Sequence, residues 1–110
     1  AVVAVLNRAS IEKANAIRRC ETFAHNPCGG DWTSVIRSAG YQGAVGENLY
    51  LAAGRWGTPR AAILAWLDSP PHRHNLFRTS WREQGLALMT FERFGNFRDV
   101  SLWVSVLGDR

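Results

Sequence analysis

Three histidines and one isolated acidic residue have side chains suited to chemistry in this chain. His25, His72 and His74 lie in proline-containing stretches that we predict to be loops, and binding or catalytic groups collect on loops held by a rigid scaffold. Glu47 stands between apolar neighbours in the stretch VGENLY. Two imidazoles and one carboxylate can hold zinc with a fourth position open. His25, Glu47 and His72 are therefore candidate metal ligands, provided that the fold brings three distant stretches together.

The same residues also have a purely structural interpretation. The chain contains no short-spaced metal motif such as H-E-x-x-H, which would place two ligands on one helix face. Each histidine could instead satisfy local backbone groups, while Glu47 and Asn48 cap a turn. The spacing of His72 and His74 fixes no common face in a loop. On the residues alone, both interpretations stay open.

The positions of the serines and cysteines disfavour covalent catalysis. Ser69 and Ser80 are candidate nucleophiles, but neither lies in a G-x-S-x-G elbow or at a strand-to-helix turn that exposes such a group. Cys20 falls within a helical apolar stripe. Cys20 and Cys28 form either one short-loop disulfide or two buried thiols. A bridge would contribute about 2 to 3 kcal/mol through loop closure and would indicate an oxidising compartment.

A long first helix is predicted at the amino end. Apolar residues recur at steps of three and four from Leu6 to Phe23, which is the period of one helix face. Lys13 is the only polar residue of this stripe. We expect its stem to lie along the apolar surface with the ammonium in solvent. The helix should span residues 3–23.

Two further helices are indicated by capping residues. Asp31 is the predicted N-cap of a short helix that ends at Gly40, because its carboxylate can accept from free N–H groups of the first turn. Thr58 is the predicted N-cap of the next helix, with Pro59 at the first position, where a missing N–H costs nothing. That helix should bury Ile63 and stop before Pro70, since a proline disfavours helical geometry in the preceding residue.

The carboxyl-terminal third changes to a period of two. QGLALMTFE and DVSLWVSVLG are predicted strands, and the RFGNF between them predicts a hairpin turn. Two strands alone would be only marginally stable, so a third should join them at residues 45–50. The expected class is α+β, with helices packed on a small antiparallel sheet of about three strands.

Composition limits the classes of protein to consider. A chain of 110 residues with 46% apolar and 20% charged residues is an ordinary single globular domain. The net charge is +4, but the arginines are dispersed, whereas nucleic-acid binders cluster them in a stripe. A dedicated nucleic-acid role is therefore not expected. No apolar run is long enough to predict a transmembrane segment.

Four stretches together resemble one family. They are FAHNPCG, VGENLY, AAILAWLDSPPHRHNLF and WREQGLALM followed by LWVSVLG. Their order and spacing resemble the CAP superfamily, which comprises the SCP-like domains of cysteine-rich secretory proteins, antigen 5 and plant pathogenesis-related proteins, and bacterial extracellular members are the most similar. The resemblance implies a three-layer α-β-α sandwich. It describes residues 1–110 as one SCP-like domain that lacks the usual first helix.

The resemblance also implies a site. In the family, two histidines and two acidic residues line a cleft and can hold a divalent cation such as zinc. His25, Glu47 and His72 match three of these residues, while His74 falls at a variable position and is set aside. The fourth acidic position is Ser69 here, and a hydroxyl is a much poorer zinc ligand than a carboxylate.

Residues around this cleft are expected to support it. Ser69, Asn48 and Arg73 match positions beside the ligand set. Because the family is extracellular, the resemblance implies a secreted protein and favours a disulfide between Cys20 and Cys28. This bridge would hold the loop that carries the first histidine.

Three functions are compatible with this pattern. The first hypothesis is a secreted, non-enzymatic domain that binds a small or extended ligand, such as a lipid, peptide or glycan, in the cleft, with or without a divalent cation. The alternative is a metal-dependent, peptidase-like hydrolase in which the cation activates water and Glu47 acts as base. His25 and His72 would then also be catalytic. The third is a cationic cell-envelope adhesion module, whose binding would weaken as salt screens the arginines.

Overall fold

The computed structural model describes all of residues 1–110 and confirms the α+β class. None of its helices is long and apolar enough to cross a membrane. The elements, in chain order, are α1 (Ala4–Cys20), α2 (Ser34–Ser38), β1 (Ala44–Ala53), a 3-10 turn (Gly54–Gly57), α3 (Pro59–Asp68), α4 (Pro70–Phe77), β2 (Glu83–Phe94) and β3 (Phe97–Asp109).

The three strands form one antiparallel sheet with β3 in the centre. The strand order is β1-β3-β2, so β1 and β2 are both edge strands. Phe94 pairs with Phe97, which confirms the hairpin predicted at RFGNF. Glu47 of β1 lies opposite Val106 of β3, and the predicted third strand is therefore present at the edge of the sheet.

The two faces of β3 bury two separate cores, and this makes the molecule a three-layer sandwich. Leu102 and Val104 belong to a core that also contains Leu6 of α1. Trp103, between them in sequence, packs on the opposite face with Trp66 of α3. Successive strand residues point to opposite faces, so the period of two in β3 places α1 and α2 on one side and α3 and α4 on the other.

The end of α1 and the loop that follows it are held by a disulfide. Glu21 has a left-handed backbone conformation with φ 47°, which ends the helix three residues earlier than predicted. Cys20 and Cys28 are bridged, so the predicted disulfide is confirmed. The bridge constrains the first part of residues 21–33, the segment that connects α1 to α2.

A helix stands where the sequence predicts a loop with the two later histidines. Pro70 and Pro71 occupy the first two positions of α4, where their missing N–H groups would have no partner in any case. The prolines therefore end α3, as expected, and also begin α4, which the loop prediction missed. His72 and His74 lie two residues apart on this helix and so point in different directions.

The capping predictions are right at one helix and wrong at another. Thr58 accepts a hydrogen bond from the Ala61 N–H at 3.1 Å, as an N-cap should. Asp31 is not the N-cap of α2, because the helix begins at Ser34 and its N-cap is Thr33, which makes no side-chain capping bond. Asp31 lies two residues earlier, and its Oδ1 accepts from the backbone N–H and the hydroxyl of Thr33, both at 2.7 Å. These bonds lower the pKa of the Asp31 carboxyl. The prediction that α3 buries Ile63 is also wrong, since this side chain is exposed.

Candidate functional site

The loop after α1 and the edge strand β1 bring His25 and Glu47 into contact. His25 Nδ1 lies 2.7 Å from Glu47 Oε1. Glu47 is buried, whereas the His25 side chain is 50% exposed. An ionised carboxylate can only accept, so Nδ1–H donates and Nε2 is the nitrogen left for another partner. The structure thus joins two of the residues that the sequence singled out.

Lys13 supplies a positive charge to this pair from inside the protein. Its side chain is fully buried, and Nζ lies 3.3 Å from Glu47 Oε2. The ammonium also donates to the main-chain oxygens of Trp32, at 2.8 Å, and of His25. The expectation that Lys13 reaches solvent is wrong, because one carboxylate and two loop carbonyls offset the cost of burying its charge.

Asn48 and Asn75 attach α4 to β1 beside the pair. The buried Asn48 donates from Nδ2 to the His72 main-chain oxygen at 3.1 Å. Its Oδ1 accepts from Asn75 Nδ2 at 3.0 Å, and the same nitrogen lies 3.3 Å from the Glu47 main-chain oxygen. Asn48, which the sequence predicts beside the cleft, holds the backbone of α4 through this bond.

His72 lies near the pair but has a different partner. Its Nδ1 is 2.8 Å from Ser69 Oγ, and it makes no hydrogen bond to Glu47. Burial, followed by electrostatic repulsion between His72 and the nearby His25, lowers the pKa of the His72 imidazole. Ser69 stands where the family pattern has an acidic residue, and in this chain its hydroxyl is the hydrogen-bond partner of His72.

The two other predicted residues of α4 lie apart from this site. Arg73 is exposed, and its guanidinium is 5.9 Å from the centre of the Phe77 ring. Together with His74 it lines a shallow cavity of about 800 Å³ between the end of α3 and α4. Neither residue lines the cavity at His25 and Glu47. The structure does not bring Arg73 to the position expected of it.

A smaller cavity opens directly beside the pair. The backbone of Gly46 is in close contact with Trp81, since a Cβ built on this glycine would lie only 2.8 Å from Trp81 Cζ2. Trp81 Nε1 in turn donates to the Asn75 main-chain oxygen at 2.7 Å. We call this space, of about 260 Å³, the His25 cavity; its lining residues are His25, Trp32, Val45, Gly46, Glu47 and Asn75.

These residues, as arranged, do not fit a divalent cation. No group of three His, Cys, Asp or Glu side chains lies together so that it could hold a metal ion. Glu47 is buried with Oε1 against His25 and Oε2 beside the Lys13 ammonium. Nδ1 of His72 is bonded to Ser69. The divalent cation implied by the resemblance stays a prediction.

Sequence reasoning missed residues that complete this site. Lys13 carried a usable signal, because a single lysine within a buried helical stripe needs an acidic partner elsewhere in the chain. Asn75 follows His72 by three residues, which places both on one side of a helix, but the prolines of this stretch predict a loop. Trp32 carried no signal that distinguishes it from a core tryptophan.

Comparison with known proteins gives evidence at the level of the fold. No protein-family model matches the sequence, and no curated protein matches it. An outer surface protein from Borrelia burgdorferi has a similar structure, with a TM-score of 0.73 and 21% identity, over 99% of this chain and 76% of that one. An extracellular protein containing an SCP domain from Bacillus anthracis has a TM-score of 0.74 and 19% identity, over 100% of this chain and 33% of that one.

The order of the elements and the comparisons point to the same architecture. Both similar structures match almost the whole of this chain, and the chain spans about a third of the Bacillus anthracis protein. The motifs that resemble SCP-like domains fall on the loop after α1, on β1, on α3 and α4, and on the β2–β3 hairpin of the three-layer sandwich. This chain therefore has the SCP-like fold that its sequence motifs predict.

Proposed function

We propose that this chain is an extracellular binding domain whose ligand enters the His25 cavity. The observation that carries the proposal is the His25 ring, which Glu47 orients at 2.7 Å while its outer half stays exposed beside the cavity. A ring fixed at one nitrogen and free at the other is prepared to bind a ligand without further ordering.

An extracellular location is supported by two independent features. One similar structure is an outer surface protein and the other is an extracellular protein. The Cys20–Cys28 disulfide is of the kind that persists in oxidising compartments and is rare in the cytosol of most organisms.

The size and lining of the His25 cavity favour a small polar group as ligand. Its volume of about 260 Å³ lies just below the range of roughly 300 to 1,000 Å³ that is usual for small-molecule sites. Trp32 contributes an aromatic ring and His25 a free imidazole nitrogen. One unit of a glycan or one side chain of a peptide suits this space better than a lipid, whose acyl chain needs a longer apolar channel.

A nuclear magnetic resonance titration tests this proposal. Short glycans, short peptides and short-chain lipids are added separately to the labelled chain, and the indole signal of Trp32 and the imidazole signals of His25 are followed. We expect one class to shift these signals, and we expect His25→Ala to weaken its binding roughly tenfold through loss of a hydrogen bond. His74→Ala is the matched control and should leave binding unchanged. Equal affinity of the two variants would place the ligand elsewhere.

Hydrolysis is a second candidate, favoured by the same contact. A histidine whose Nδ1–H is bonded to a carboxylate and whose Nε2 is open has the arrangement of a general base. In that case His25 would take the proton from water, and Glu47 would position His25 rather than act as base. Turnover of peptide or ester substrates that disappears in His25→Ala but withstands a chelator would support this version. Turnover that a chelator abolishes would support the metal-dependent hydrolase.

A further inference from the structure

We infer that Lys13 is a built-in cation of this site, which neutralises Glu47 from the protein interior and so replaces a divalent metal ion at that carboxylate. The resemblance to SCP-like domains implies that a divalent cation could bind beside His25 and Glu47. In this chain the position next to Glu47 Oε2 is taken by an ammonium group. The charge balance at Glu47 is the same whichever ligand the cavity binds.

The surroundings of the Lys13 ammonium match its three N–H groups. Two of them face main-chain oxygens, those of His25 and Trp32. On the third side of the ammonium, Glu47 Oε2 lies 3.3 Å from Nζ. This oxygen receives no hydrogen bond of good geometry, so the contact is a charge pair rather than a directed bond. Both side chains are 1% exposed, and solvent therefore does not screen their attraction.

Lys13 positions His25 in two ways. Its ammonium donates to the main-chain oxygen of His25, which holds the loop, and its charge holds Glu47, which holds the ring. The lysine itself lies on the buried face of α1 between Ala9 and Ile17, and all three side chains are fully buried. Helix packing therefore fixes the ammonium, and a hydrated ion cannot readily displace it.

A second cation at Glu47 would meet this charge at short range. A metal ion bound to Oε2 would lie within a few ångströms of Nζ, where like charges in a protein interior repel strongly. His25 already takes Oε1. We therefore expect the native chain to bind no divalent cation at Glu47, and removal of the lysine charge to create such a site.

Calorimetric titration with zinc chloride, at neutral pH and with the disulfide intact, tests the inference. The native chain should show no zinc binding that depends on Glu47. Lys13→Met, which keeps the length of the side chain, should bind one zinc ion at least roughly tenfold more tightly than the native chain, because a repulsive charge is gone. Adding Glu47→Gln to this variant should abolish the gain. Arg18→Met removes one positive charge from the exposed side of the same helix and should gain nothing.

Two results would overturn the inference. One is stoichiometric zinc binding by the native chain that Glu47→Gln removes, and the other is a folded Lys13→Met variant that gains no binding. If Lys13→Met does not fold, the imidazole signals of the native chain decide. The Nδ1–H signal of His25 should persist when zinc is added, and its loss with stoichiometric zinc would show that a metal can take the place of the contact with Glu47.

Discussion

Asn48 of β1 and Asn75 of α4 are joined side chain to side chain, with Nδ2 of Asn75 donating to Oδ1 of Asn48 at 3.0 Å. The buried Asn48 also donates to the main-chain oxygen of His72. One amide thus satisfies two groups of α4. The position of the second histidine relative to Glu47 depends on this contact between an edge strand and a short helix.

Asn48→Ala should loosen α4 selectively. The change leaves the His72 carbonyl and one Asn75 donor without partners, and we expect the free energy of unfolding to fall by about 1 to 3 kcal/mol. Urea unfolding measures the loss. Hydrogen exchange should show α4 losing more protection than β3. Asn96→Ala in the exposed hairpin turn is the control and should change neither quantity; uniform loss of protection across the sheet would count against the docking role.

The buried ion pair predicts non-additive stability changes. Lys13→Met should lower the free energy of unfolding by about 3 kcal/mol, because it leaves Glu47 without its charge partner. The double variant Lys13→Met with Glu47→Gln should be more stable than the sum of the single changes predicts. Chemical denaturation of all four proteins measures this coupling. Strict additivity would mean that the two charges do not interact.

The disulfide should stabilise both the fold and the position of His25. Replacing Cys20 and Cys28 together by alanine should cost about 2 to 3 kcal/mol through loop entropy. The loop that carries His25 would also gain freedom, so its Nδ1–H signal should exchange faster with solvent. A reductant should reproduce both effects in the native chain and have none on the double variant. An unchanged His25 signal would limit the bridge to a stabilising role.

Gly46→Ala should distort the His25 cavity. The new Cβ would lie 2.8 Å from Trp81 Cζ2, so the indole must move, at a cost of about 1 to 3 kcal/mol for overpacking. Tryptophan fluorescence and thermal unfolding measure the shift and the loss of stability. In a Trp81→Leu background the same substitution should cost less. A similar cost in both backgrounds would show that the indole is not what restricts position 46.

High pH should reveal the contact between Tyr41 and Glu83. The Tyr41 hydroxyl donates to Glu83 Oε1 at 2.8 Å, and burial followed by this bond raises the pKa of Tyr41 to about 12 from the ordinary tyrosine value of 10.0. The folded state therefore holds the proton more tightly than the unfolded state does. This contribution to stability is present below pH 10 and lost as the pH rises towards 12.

Ultraviolet absorbance of tyrosinate measures this titration. Tyr41→Phe leaves Tyr50 as the remaining tyrosine, and subtraction of its curve isolates Tyr41. The melting temperature should fall more steeply in the native chain than in the variant as the pH rises above 10. Ionisation of Tyr41 at the ordinary pKa of a tyrosine would contradict the buried hydrogen bond.

The regular spacing of apolar side chains along the sequence was sufficient to predict most of the helices and strands. Alternation along β3 predicts two faces, and the structure buries Leu102 and Trp103 on opposite sides. Thr58 caps α3 as its type suggests. The sequence does not predict helix α4, because a proline disfavours helical geometry in the residue before it and yet suits the first positions of a helix. Pro70 and Pro71 have both effects. The spacing of prolines alone does not separate these two effects.

By itself, the sequence determined the α+β class, favoured the disulfide through its resemblance to an extracellular family, and named His25, Glu47 and His72 as candidate site residues. Each depends on local periodicity or on motifs read in order along the chain. The tertiary structure alone decided which cation Glu47 faces. A lysine in an apolar stripe can direct its charge to solvent or inward, and its stem is equally apolar in both cases. Lys13 points inward because the packing of α1 places a buried carboxylate and two carbonyls within reach of its ammonium.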